Sequence, residues 1–418
     1  MPIYRKVFWA AGFGWMFDAM DVGLLSFIVV KLASEWDLSA SEVGWLGTAN
    51  TIGMAIGATL GGWLADRWGR RPIFLLTLIL IGLASFSSAA ATGYAMMLGF
   101  RFLIGLGLGA ELPVASTLMN EFAPASRRGS SVVLLESFWA VGWIAAAAIS
   151  YFVIPSFGWR WAVIIGGLPL FYAIVVRRNV PESPKFRSEL AASARDPDRN
   201  RPSAHATFAA STTAKPTWAT LFRSFRTRTL VLWIVWFAVT FSYYGMFLWL
   251  PSVLVGKGFT MIKSFEYVLF MTFAQLPGYF LSAYLVERWG RKPTLALFMA
   301  MTAAAAFLFG GAEARWLLLT SGAMLSFFNL GAWGALYAFT PENYPTAVRA
   351  TGSGLASGVG RLGSVAAPLL VGWLTAAQIG YTGIFSIFTI VLGAGVVVLL
   401  RFGVETRGTT EHTEIQLR

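Results

Sequence analysis

Six ionisable residues interrupt long apolar runs in this chain: Asp18, Asp21, Arg101, Glu111, Glu136 and Arg361. A charge in a run surrounded by lipid is costly enough that each of these groups must face a cavity or a partner. Asp18 and Asp21 are three residues apart, which puts both carboxyls on one face of a helix. Two carboxylates that close and away from bulk water repel each other as anions, which suits them to taking up and releasing a proton. Arg101 brings the opposite property, a permanent charge on a planar fork that matches a carboxylate. Proton exchange and anion recognition are the chemistry on offer, and little else is. Cysteine is absent and the two histidines, His205 and His412, lie in polar segments, so no metal site, histidine relay or thiolate is expected. No nucleophile–base pair or phosphate loop appears either, so neither an enzyme nor a cofactor is expected.

The elements that hold these residues follow from composition. Of the 418 residues 56% are hydrophobic and 12% charged, against about 25% charged in ordinary globular proteins. The expected fold class is an all-α integral membrane protein of twelve transmembrane helices. The apolar runs fall near 6–32, 43–65, 72–92, 94–120, 129–153, 160–176, 229–255, 263–286, 293–311, 315–340, 351–374 and 383–402. The net charge of +12 makes no continuous basic stripe of the kind nucleic acid requires, so no nucleic-acid partner is expected. Of the 32 Lys and Arg, 25 instead sit in alternate segments: the N-terminal one with Arg5 and Lys6, short loops such as Arg67, Arg70 and Arg71 or Arg288, Arg291 and Lys292, the insert 177–228 with eleven, and the C-terminal end. The intervening loops keep only Lys31, Arg160, Lys257, Lys263 and Arg315, which predicts cytoplasmic N- and C-termini. The expected domains are an N-terminal six-helix half (1–176), a cytoplasmic linker (177–228), a C-terminal six-helix half (229–402) and a cytoplasmic tail (403–418). The centre of the linker, rich in Ala, Ser, Arg, Pro and Thr, reads as disordered or partly helical.

An internal repeat supports that division. The segment Gly62-Trp-Leu-Ala-Asp-Arg-Trp-Gly-Arg-Arg71 recurs as Ala283-Tyr-Leu-Val-Glu-Arg-Trp-Gly-Arg-Lys292, displaced by 221 residues. Glu121, Pro124 and Arg128 shift by the same 221 onto Glu342, Pro345 and Arg349. Two parallel halves of this kind imply a substrate site between them, near the membrane middle.

This layout, with Gly62-x-Leu-Ala-Asp-Arg-x-Gly-Arg-Arg71, resembles the major facilitator superfamily over essentially the whole chain. Arg101-x-x-x-Gly105-x-Gly107-x-Gly109, Pro181-Glu-Ser-Pro-Lys185 and Pro341-Glu-x-Tyr-Pro345-x-x-x-Arg349 are similar to its sugar-porter-related branch. The glutamines by which sugar porters hold hydroxyls are missing, replaced by Leu135-Glu-Ser-Phe-Trp139 and Phe241-Ser-Tyr-Tyr-Gly245, so a polyhydroxylated substrate is not expected. Asp18-Ala-Met-Asp21 resembles the Asp-x-x-Asp signature of aromatic acid:proton symporters. Gly14-Trp-Met-Phe-Asp-Ala-Met-Asp-Val-Gly23, Leu134-Leu-Glu-Ser-Phe-Trp-Ala-Val-Gly142, Phe241-Ser-Tyr-Tyr-Gly-Met-Phe-Leu-Trp-Leu-Pro251 and Phe328-Asn-Leu-Gly-Ala-Trp-Gly334 are similar to bacterial niacin (nicotinate) transporters.

The resemblance implies uptake of nicotinate, or of nicotinamide, by a monomeric multi-pass protein of a bacterial inner membrane whose partners are substrate, protons and lipid. It assigns proton coupling to Asp18 and Asp21 and pairs Asp18 or Asp21 with Arg101; Glu136 and Glu111, from their place in the spans, could each relay a proton or, while protonated, bond a neighbouring backbone group or Ser. Protonation of the aspartate would free Arg101 for the substrate carboxylate, making one proton and one anion move together without net charge. Each pH unit would then supply about 1.4 kcal/mol to transport. The alternative for these residues is a pair that only joins two helices. Arg361 is either a second anion-binding group or a donor to backbone carbonyls. Aromatic faces suit a pyridine ring, and the candidates are Trp15, Phe17 and Trp139, then Tyr243, Tyr244, Trp333 and Tyr337, with Asn329 for the ring nitrogen; each of these aromatics could equally be ordinary packing. A cytoplasmic gate is expected from Asp66, Arg67, Arg70, Glu121, Arg128 and Glu182 and from Glu287, Arg288, Arg291, Glu342 and Arg349, as salt bridges made in only one state. Asp66 is also placed to sit against a helix N-terminus. The Gly105/Gly107/Gly109 row is expected to let helices approach closely. A symporter for another aromatic acid, such as a benzoate, and a membrane sensor that binds without transporting are the competing functions.

Overall fold

The computed structural model describes residues 3–122, 128–181, 224–344 and 348–407, without the side chains of 3, 62, 66, 112–134, 177–179 and 350. The expected linker centre at 191–216, Glu182 and the last part of the tail lie outside the described residues, as do the side chains of Asp66, Glu121 and Arg128. Among the described residues all regular structure is helical. The N-terminal helices are α1 (Ile3–Glu35), α2 (Ala40–Trp68), α3 (Arg70–Ser88), α4 (Tyr94–Phe122), α5 (Arg128–Phe157), α6 (Trp159–Gly166) and α7 (Pro169–Asn179). The C-terminal ones are α8 (Arg226–Gly256), α9 (Met261–Phe273), α10 (Gln275–Arg288), α11 (Arg291–Gly311), α12 (Arg315–Glu342), α13 (Arg349–Ala376) and α14 (Tyr381–Phe402).

Two expected spans are each built from two helices, α6 with α7 and α9 with α10. Proline explains where the second piece begins, since Pro169 and Pro277 stand in the first turns of α7 and α10, where a missing N–H leaves no helix bond unmade. Taken as continuous apolar stretches, ten segments from Arg70 to Phe402 are long and apolar enough to cross a membrane. The remaining two helices, α1 with 33 residues and α2 with 29, exceed the roughly 20 residues a span requires.

The chain divides into two compact units, one of residues 1–38 and 45–214, the other of 39–44 and 215–418. The 221-residue sequence repeat is visible in their local geometry. Gly69 and Gly290, 221 residues apart, both hold a left-handed φ, 99° and 113°, and each immediately precedes a helix. The next residue repeats as well. Arg70 donates from Nη1 to the Ala65 carbonyl at 3.4 Å, and Arg291 from Nη1 to the Val286 carbonyl at 3.2 Å.

Within the first unit α1 packs along α5 and α3 along α4. Small residues set how near α2 and α4 lie. A Cβ added to Gly105 would run into the Asn50 carbonyl oxygen, and one added to Gly109 into that of Met54. Within the second unit α8 packs along α13, and α11 along α12 and α14. Its core includes Leu232, Val235, Val239, Phe298, Met299, Leu336 and Phe339, all but free of solvent.

Candidate functional site

The first unit gathers its charges between α1, α3 and α4. Asp18, Asp21, Arg101 and Glu111 are each no more than 2% exposed. Arg101 Nη1 donates to Asp21 Oδ2 at 3.3 Å. Ser85 of α3 lies 3.5 Å from the other Asp21 oxygen and donates more closely, at 3.1 Å, to the Val163 carbonyl on α6. Asp21 rather than Asp18 is therefore the partner of Arg101. The Nε and Nη2 of Arg101 find no hydrogen-bond partner among the described residues. They form one edge of the guanidinium, the edge that accepts a carboxylate through two parallel bonds.

Asp18 turns to the same helix at another level. Its carboxyl group meets that of Glu111, which also lies against α1 at Gly14. The contacts run from Asp21 with Arg101 to Gly14 with Glu111, so α1 and α4 are antiparallel. Thr77 of α3 stands beside Glu111, but its one hydroxyl proton goes to the Phe74 carbonyl at 2.9 Å. Among the described residues none of the four oxygens of Asp18 and Glu111 has a donor in hydrogen-bond geometry.

Aromatic residues named from the sequence form two groups. On α1 and α5 the rings of Trp15 and Trp139 are 4.8 Å apart, and Glu136 lies beside the Trp15 indole. Phe17 packs on Tyr172 at 5.3 Å. In the second unit Tyr243 touches Tyr244 at 5.1 Å and Trp333 at 5.7 Å, and Trp333 touches Tyr337 at 5.7 Å. Trp236, missing from the sequence-based candidates, completes that group. It packs edge-on against both Trp333 and Tyr337 and donates from Nε1 to Thr340 Oγ1 at 2.9 Å. The signal was present in the repeat, for Trp236 is Trp15 moved by 221. Asn329 donates to Ser242 Oγ at 3.3 Å, leaving its own Oδ1 unbonded. Buried Gln275 opens α10 with neither amide atom bonded. Arg361, half-buried on α13, enters no ion pair among the described residues.

The motif charges of the second unit are joined within that unit. Arg291 bridges Glu287 at 3.2 Å and Glu342 at 3.0 Å, and Thr406 donates to Glu342 at 2.6 Å. Glu405 accepts the backbone N–H groups of Arg291 and Lys292, both at 3.0 Å, at the positive start of α11. Arg288 lies over the Tyr284 ring, its carbonyl accepting from Arg407, and Arg349 donates to the Tyr344 carbonyl at 3.2 Å. In the first unit Arg67 lies over Trp63. At the far end of the helices, Glu42 closes a capping box with Ser39, accepting from its N–H at 2.8 Å and its hydroxyl at 2.7 Å. These two donors hold the Glu42 carboxyl below the usual glutamate range.

Comparison with known proteins agrees with this architecture. NiaP of Bacillus subtilis, named for niacin/nicotinamide transport, is 54% identical over 97% of this chain and 97% of its own length. The niacin transporter NiaP of Acinetobacter baylyi is 46% identical over 97% of this chain and 95% of its own. Among solved structures, a D-xylose-proton symporter superposes with a TM-score of 0.78 over 97% of this chain and 99% of that one, at 20% identity. The Major Facilitator Superfamily model matches residues 11–278 and 265–416, and to that superfamily of membrane transporters the chain belongs.

Proposed function

We propose that this chain imports nicotinate by proton-coupled alternating access across a bacterial inner membrane, as a monomer with both termini in the cytoplasm. The observation that carries the reading is the divided use of Arg101. One nitrogen holds Asp21, and the Nε–Nη2 edge stays buried and unbonded. A nicotinate carboxylate fits that edge through two parallel charge-assisted bonds. Asp21 need not leave first, which replaces simple competition for Arg101 with a shared guanidinium. Bringing a carboxylate into this acidic interior is easier if a proton accompanies it, and a proton with a monovalent anion moves no net charge.

The aromatic side chains of both units are the candidates for holding the ring, with Asn329 Oδ1 and Arg361 as further polar contacts. Residues 1–176 and 229–402 are assigned as the two moving halves and 177–228 as the linker. The motif charges from Asp66 to Arg349 are assigned to the cytoplasmic gate; the bonds of Arg291 to Glu287 and Glu342 hold part of that motif together inside the second unit.

Uptake of labelled nicotinate into proteoliposomes tests the reading, first with an imposed pH gradient and then with an imposed voltage. Accumulation driven by pH and indifferent to voltage is expected. Accumulation of benzoate but not nicotinate would move the substrate to another aromatic acid, and binding without accumulation would make the chain a sensor.

A further inference from the structure

The mechanism above leaves Glu111 unused, although it is a fully buried acid in the first unit. It stands opposite Asp18, one helix turn along α1 from the ion pair. Among the described residues no donor meets any of the four oxygens in hydrogen-bond geometry, and the one hydroxyl at hand, that of Thr77, is shared with the Phe74 carbonyl at 2.9 Å. Two ionised carboxylates can only accept, so as anions they leave all four oxygens unsatisfied and repel each other. A single proton changes both terms. It removes one charge and turns the contact into an O–H···O bond with a charged acceptor, among the stronger hydrogen bonds available in a protein.

We propose that Asp18 and Glu111 form one proton-binding pair, in which the transported proton is held between the two carboxyls while Asp21 stays with Arg101. The pair deepens the reading of the chain as a proton-coupled importer and rests on it. Loading makes one carboxyl O–H bond as an O–H bond of hydronium from the outer solution breaks. Release breaks that carboxyl O–H bond and returns the proton to water on the inner side.

The surroundings favour a proton over a metal ion. The groups placed against the pair are Asp21 on α1, Thr77 on α3 and Tyr172 on α7; Arg101 and Ser85 contact Asp21, and Glu136 on α5 lies beside Trp15. Tyr172 is turned away, donating to the Ala10 carbonyl at 3.1 Å. Arg101 is the only cation among them, and Asp21 already engages it. No group of three or more acidic, His or Cys ligands for a metal occurs among the described residues.

The repeat shows that the pair belongs to the first unit and has no counterpart at the matching positions of the second. At the 221-residue offset Asp18, Arg101 and Glu111 become Val239, Gly322 and Ala332, and Asp21 becomes Ser242. The helices recur in the second unit and the acids do not.

Infrared difference spectroscopy of the purified full-length chain tests the pair without any substrate. The wild type should show the C=O stretch of a protonated carboxylic acid at neutral pH. The pair's component of that band should shift or disappear in Asp18→Asn and in Glu111→Gln and stay in place in Glu136→Gln, which removes only the separate component of buried Glu136. Glu111→Asp, which keeps the carboxyl, should retain a shifted band if Glu111→Gln proves unstable. In proteoliposomes, Glu111→Gln should lower pH-driven nicotinate accumulation at least tenfold while lowering nicotinate exchange by less than threefold. An unchanged band in Glu111→Gln, or wild-type accumulation by that variant, would overturn the proposal; so would a wild type driven by sodium. If the wild type shows the band but never moves nicotinate, the substrate reading fails and the carboxyl pair stands.

Discussion

Asp21 Oδ2 lies 3.3 Å from Arg101 Nη1 with both side chains withdrawn from solvent. The bond joins α1 to α4 and occupies one corner of the guanidinium, leaving its opposite edge open. The nitrogen that joins the helices is thus distinct from the two that the proposed function gives to the substrate carboxylate.

Removing either partner should therefore have different effects. Asp21→Asn leaves a buried, uncompensated guanidinium, a change that typically costs about 3–5 kcal/mol. Thermal unfolding in detergent should show a large loss of stability. Arg101→Lys keeps the charge and loses the fork, so nicotinate binding should weaken roughly 10- to 100-fold, the worth of a charged hydrogen bond of about 1.5–3 kcal/mol. Calorimetric titration of Arg101→Lys checks this, and wild-type affinity in that variant would remove Arg101 from the substrate site.

Trp236 should be worth more than its area suggests. Trp236→Phe deletes the 2.9 Å bond to Thr340 while leaving an aromatic ring against Trp333 and Tyr337. Thr340 still donates to the Leu336 carbonyl at 2.7 Å, so no donor is orphaned and the expected loss is about 0.5–1.5 kcal/mol. Trp236→Ala should lose about 3–5 kcal/mol by opening a cavity. Equal unfolding temperatures for the two variants would contradict this division.

Glu405 ties the segment after α14 to the start of α11. Besides Arg291 and Lys292 it accepts the N–H groups of Thr406 and Arg407 at 3.0 and 2.9 Å. Replacing it with Ala should destabilise the second unit by about 1 kcal/mol, as loss of a helix cap does. Hydrogen exchange should quicken first at Arg291 and Lys292, and unaltered protection there would remove the capping role.

Acid should act on the capping box at Ser39. Glu42 is held below the ordinary glutamate value of 4.5 when folded. Its contribution is fully present above that value and is lost as pH falls through the lower, folded value. The difference in unfolding temperature between the wild type and Glu42→Gln should be constant near neutrality and shrink towards zero below the ordinary value. A difference that grows on acidification has the wrong sign.

The helices and the repeat were readable from residue order because both depend on it directly. Apolar runs of span length and a constant 221-residue shift need no knowledge of depth. The buried acids at 18, 21 and 111 could be named but not paired, because pairing depends on the level at which antiparallel helices pass each other. Three residues along α1 separate the partners of Arg101 and Glu111, which stand ten apart on α4. Trp236 escaped notice for another reason. In a chain with 18 tryptophans, residue type alone does not separate a ring at a site from one in ordinary packing. The expected gate could be followed only where side chains are described, and there the bonds of Arg291 run within one unit.

The glycines at 105 and 109 have a mechanical meaning for the acids on either side of them. They press the backbone of α4 onto the carbonyls of Asn50 and Met54 so closely that no side chain fits in between. Such a seam resists sliding, since any shift along the helix axis would drive a Cβ into a carbonyl oxygen. Arg101 and Glu111, at the two ends of this seam, cannot ratchet past α2 one at a time. Whatever displaces one of these two side chains along α2 therefore displaces the other with it.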